Sequence, residues 1–131
     1  MFKGSEECMK PNLRLVSLKV DDLGLMRSFY EELLDPELHE EEEGRLIEYG
    51  FDGVLFGLYN PEADFENKPG IRRGDNCVPG FKVGEDFEKY KKRVEEHELA
   101  DLVYEKEEAG HRWIVFEDPE GNRIEFYRGS V

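Results

Sequence analysis

From Gly110 to Arg128 apolar and polar residues alternate twice, on either side of an Asp-Pro-Glu-Gly-Asn turn at 118–122. A period of two is the mark of β-strands, and it predicts a hairpin of His111–Glu117 and Arg123–Arg128. Pairing across the turn sets Val115 opposite Glu125 and Trp113 opposite Tyr127. One face then carries His111, Trp113, Val115, Glu125 and Tyr127, and the other carries Ile114, Phe116, Ile124 and Phe126. The apolar row is expected to pack on helices and the mixed row to line a binding surface.

The same reading gives strand, helix and three strands in each half of the chain. In the first half the strands are about Leu13–Val20, Leu38–Glu42, Arg45–Phe51 and Val54–Tyr59, with a helix over Asp22–Leu34 that Asp22 caps and that stops before Pro36. The second half offers Val78–Val83, a helix near Glu85–His97, then Leu102–Lys106 and the two hairpin strands. The halves echo each other: Leu18, Lys19 and Val20 are answered by Phe81, Lys82 and Val83, and after one inserted residue Leu23, Met26 and Tyr30 by Phe87, Tyr90 and Val94. Between them lies Asn60–Asn76, polar, with two prolines and longer than the usual connection of about 4–6 residues, which reads as a linker.

Composition narrows the function. A chain of 131 residues with 38% hydrophobic content suits one domain with one core. No apolar run approaches the roughly 20 residues needed to cross a bilayer, and Met1–Asn12 lacks a leader-like stretch, so a soluble cytoplasmic protein is expected. Cys8 and Cys77 read as free thiols. With 32 acidic against 18 basic residues, a net charge of −14 would repel nucleic acid and anionic lipid alike, so neither is an expected partner. The run Glu40–Glu43 reads as a solvated edge, and His39 and His97, one beside that run and one near a helix end, are set aside as ligands.

The segment DPEGNRIEFY (Asp118–Tyr127) after an apolar strand resembles the closing hairpin of the vicinal oxygen chelate superfamily, which includes glyoxalase, bleomycin-resistance and extradiol dioxygenase proteins. LRLVSLKVDDLGLMRSFYEELLD (Leu13–Asp35) is similar to the opening strand and helix of that superfamily. The resemblance implies an α+β fold of two tandem βαβββ modules forming a half-open curved sheet with a concave cleft, often completed in a homodimer. The corresponding division is a tail at 1–12 and a single domain at 13–131, with module one at 13–59, the linker at 60–76 and module two at 77–128.

Members of the superfamily typically hold a divalent ion with His, Gln or Glu ligands on the first, fourth, fifth and last strands. In this sequence those positions fall on Leu15, on Phe56 or Gly57, on Val78 and on Glu125, and only Glu125 has a donor to offer. One carboxylate does not hold such an ion against water, so no metal and no other cofactor is expected. The remaining cleft inventory is Leu15, Ser17, Lys19, Tyr59, Val78, Lys82, His111, Trp113, Glu125 and Tyr127, with Leu13 beside them. An apolar and aromatic lining with a few polar anchors suits a small-molecule pocket.

Three readings stand at this point. The first is a dimeric, metal-independent protein that sequesters a cationic or aromatic small molecule. The second is a lyase or isomerase with a non-standard metal site, or with Glu125 as general base and Lys19 or Lys82 stabilising negative charge. The third is an interaction module without a ligand of its own.

Overall fold

The computed structural model describes residues 11–60 and 76–129. Most of the expected tail, nearly all of the expected linker, and Cys8 lie outside the described residues. Among those described, Cys77 is a free and exposed thiol.

Two βαβββ units follow one another. The first comprises β1 (Leu15–Lys19), α1 (Leu23–Leu34), β2 (Glu37–Glu42), β3 (Leu46–Phe51) and β4 (Val54–Tyr59). The second comprises β5 (Gly80–Lys82), a 3-10 turn (Gly84–Asp86), α2 (Phe87–Glu96), β6 (Asp101–Glu108), β7 (His111–Glu117) and β8 (Arg123–Arg128). Each unit builds its own open, mixed four-stranded sheet, in the orders β1-β4-β3-β2 and β5-β8-β7-β6. The α+β duplication legible in the sequence is therefore present, with the strands divided between two sheets.

Local chemistry sets the boundaries. Asp22 caps α1 by accepting from the Leu25 amide at 3.0 Å, and the helix ends at Asp35, which adopts a left-handed backbone ahead of Pro36. Along α1 the buried residues Met26, Phe29, Tyr30, Leu33 and Leu34 recur at helical spacing and face the sheet. The strand expected over Val78–Val83 shortens to Gly80–Lys82, because Pro79 has no amide hydrogen to donate; its carbonyl still accepts from the Glu125 amide at 2.9 Å. The first strand likewise begins at Leu15, two residues later than expected. The second helix starts as the 3-10 turn, and the expected Leu102–Lys106 strand lengthens to Asp101–Glu108.

One continuous core joins the units. Leu18, Phe56 and Leu58 from the first sheet and Ile114, Phe116, Ile124 and Phe126 from the second belong to one cluster with Val20 and with the buried residues of α1 and α2. Phe81 stacks edge-on against Phe51 and Phe56 of the first unit, with ring centroids 5.3 and 5.2 Å apart. A polar latch reinforces this contact. The Glu120 carboxylate, in the β7–β8 turn, accepts from the Asp21 amide at 2.8 Å and the Asp22 amide at 2.7 Å, ahead of α1. The Tyr30 hydroxyl donates to Asp118 at 2.5 Å, and Asp118 also accepts from the amides of Glu120 and Asn122.

Burial, and then the neighbouring Asp118 carboxylate, holds the Tyr30 phenol well above its ordinary range. A phenol with a raised folded pKa contributes stability that is fully present below its unfolded value of about 10 and is lost as pH rises further. Tyr30→Phe should therefore cost about 1.5–3 kcal/mol at neutral pH, from loss of a bond to a charged acceptor. In urea unfolding, the gap between variant and parent should narrow above about pH 10; a gap that stays constant up to pH 11 would contradict this role.

Candidate functional site

Across β7 and β8 the register is Val115 opposite Glu125 and Trp113 opposite Tyr127, as the turn implies. Ile114, Phe116, Ile124 and Phe126 on the other face are wholly buried. Extending the pairing gives two rows on the face of sheet two that points away from the helices. One runs Gly80, Glu125, Val115, Tyr104, and the next runs Lys82, Tyr127, Trp113, Lys106.

His111, Trp113, Glu125 and Tyr127 line a cavity of about 420 Å³ together with Gly80 and Arg128. Gly80 leaves room there, since a Cβ at this position would sit 3.6 Å from the Tyr127 ring and 3.7 Å from a Glu125 oxygen. Glu125 has no ion pair or side-chain hydrogen bond among the described residues. The partner expected for it, Arg123, turns instead to Glu117 on β7 at 3.3 Å. Trp113 lies outside the core, half-buried, with the Lys106 ammonium 5.9 Å from its ring centroid.

Of the other expected site residues, Lys82 shares this face beside Tyr127, and the rest are elsewhere. Leu15, Ser17, Lys19 and Tyr59 occupy the outward face of sheet one, paired with Leu55, Gly57, Tyr59 and Leu46 in the β1-β4-β3 register. Val78 and Lys82 line a second cavity of about 760 Å³ at the junction of the units, with Leu13, Val54 and Phe81. A single chain thus divides the expected cleft between two sheet faces and the junction. Sequence reasoning missed Gly80 and Arg128. The pairing of Gly80 with Glu125 follows from parallel addition of β5 to β8, which no alternation within one strand reveals.

The divalent ion implied by the superfamily does not fit the residues around Glu125. Its row neighbours are Gly80, Val115 and Tyr104, Leu15 and Val78 carry no donor, Phe56 is turned into the core, and Gly57 has no side chain; His111 in the same cavity brings the metal-ligating side chains only to two, short of the three such a site needs. Among the described residues, the group of three donors close enough to share an ion is His39, Glu40 and Glu48, on the other sheet.

No protein-family model matches the chain, and no curated protein matches it. Solved structures do. The lactoylglutathione lyase of Agrobacterium tumefaciens is 21% identical with a TM-score of 0.71, covering 92% of this chain and 95% of that one. The fosfomycin resistance protein FosX of Listeria monocytogenes is 16% identical with a TM-score of 0.73, covering 94% and 97%. A protein from the mobile metagenome of V. Pseudocholerae is 26% identical with a TM-score of 0.69, covering 95% and 100%. The chain has the fold of the vicinal oxygen chelate superfamily.

Proposed function

We propose that this vicinal-oxygen-chelate-fold protein binds a planar, cationic aromatic small molecule on the outward face of its second sheet, without a metal at Glu125. The observation that carries this reading is a carboxylate with no partner among the described residues, placed beside Trp113 and Tyr127 in a cavity. The rings supply stacking and cation–π contacts of roughly 0.5–2 kcal/mol each, and Glu125 supplies the counter-charge. Fold alone does not choose a chemistry, so the weight rests on this arrangement and not on what the similar structures are named for.

A second copy of the chain completes the site in this reading. Leu15, Leu38, Val103 and Tyr104 are between 42% and 49% exposed on outward sheet faces or their edges, an apolar surface that association would cover. Among the described residues no helix is long and apolar enough to cross a membrane.

The chain has one tryptophan, so its fluorescence reports on the proposed site directly. Titration with an aromatic cation such as N-methylacridinium should quench Trp113. Glu125→Gln should weaken that cation about 10- to 100-fold, as expected for loss of a charged contact of about 1.5–3 kcal/mol, and should barely affect neutral acridine. Equal effects on both compounds would contradict the counter-charge role.

Gly80→Val should fill the gap beside Glu125 and weaken both compounds, with the melting transition little changed. Binding as tight as in the parent would place the ligand elsewhere. Sedimentation of the full chain at about 10 μM, a concentration at which a stable interface is filled, should give a species of twice 15.4 kDa; a purely monomeric boundary would remove the second copy from the account.

A further inference from the structure

We infer that the outward face of sheet one holds a second, separate site, for a divalent transition-metal ion, built from His39, Glu40 and Glu48. The three side chains each offer a donor atom, and these atoms lie within 4.8 Å of one another. Small rotations of exposed side chains bring such a set to the spacing that ligand bonds of about 2.0–2.2 Å require.

A β-bulge makes this convergence. Adjacent strand residues ordinarily point to opposite faces, but the β2–β3 register passes from Leu38 opposite Tyr49 to Glu40 opposite Glu48, leaving His39 as the extra residue. Such an insertion re-aims side chains, so His39 and Glu40 both reach Glu48. The duplicate unit has the same bulge at Val103, between Leu102 and Tyr104, where the residues matching Glu40 and Glu48 are Tyr104 and Val115. The same register shift therefore carries a set of donors in one unit and an apolar surface in the other.

The donors are also uncommitted. Glu41 is bonded to Arg27 and Glu42 to Arg45, whereas His39, Glu40 and Glu48 have no hydrogen bond or ion pair among the described residues. Two carboxylates gathered beside an imidazole repel one another, and a divalent ion relieves that repulsion. The mixed nitrogen and oxygen set suits zinc, manganese, cobalt or iron, and three protein ligands leave a position open. His39 also borders a cavity of about 530 Å³ with Arg14, Gly50 and Leu55.

The test is a Co2+ titration of chelator-treated full-length protein, read by calorimetry and by the visible absorption of the ion. One ion per chain is expected, weakened at least 10-fold by His39→Ala and by Glu48→Gln. Glu43→Gln, a neighbouring exposed acid outside the cluster, and Glu125→Gln should leave it unchanged. No saturable binding, or binding that survives His39→Ala, overturns the inference; loss in Glu125→Gln would overturn both this assignment and the metal-free reading of Glu125.

Discussion

The carboxylate of Glu120 bonded to the backbone amides of Asp21 and Asp22 is the contact on which the arrangement of this protein depends. It ties the closing hairpin of the second unit to the start of the first helix, across nearly one hundred residues of chain. Glu120 is 2% exposed, and a carboxylate so buried is tolerated only because fixed donors replace its water. Tyr30 and Asp118 add a second tie about two turns further along the helix, and Asn122, also buried, bonds to Asp118 and to Asn76. Asn76 in turn pairs with both the amide and the carbonyl of Lys19, extending the edge of β1.

Because this latch holds the turn at 118–122, it holds the register of β7 against β8, and that register decides which side chains face outward. Leu18, Phe56 and Leu58 of the first sheet and Ile114, Phe116, Ile124 and Phe126 of the second all face the shared core, so the alternate rows of both units point away from it. The same packing explains why one chain does not assemble the expected cleft by itself. The two outward faces differ: Ser17, Gly57, Glu48 and Glu40 on one correspond to Gly80, Glu125, Val115 and Tyr104 on the other. The carboxylate that sits on the last strand of the second unit sits one strand over in the first. A Cβ at Gly57 would lie 2.8 Å from the Ser17 hydroxyl and 3.5 Å from Glu48, so the neighbours already occupy the space that a side chain on β4 would use.

Much of this was legible in the sequence where local rules dominate. The hairpin register followed from the turn and the period of two, and the α1 boundaries followed from Asp22 and Pro36. What was not legible depends on partners distant in the chain. Asp118 and Glu120 read only as turn residues, since nothing nearby announces the amides and the phenol they serve. His39 read as a neighbour of a solvated acid run, because ELHEEE gives no sign of a bulge that turns two successive side chains to one face. The expected inventory mixed residues of two sheets because alternation assigns a face within a sheet but not which sheets share a cleft.

The most direct test of the account is amide chemical-shift mapping of the isotopically labelled full chain with an added aromatic cation. The account requires the perturbed amides to cluster at residues 80–82, 111–115 and 123–128, the segments that build the face around Glu125 and Trp113. Perturbations centred instead on the junction cavity near Leu13, Val54 and Val78, or none at saturating cation, would contradict it.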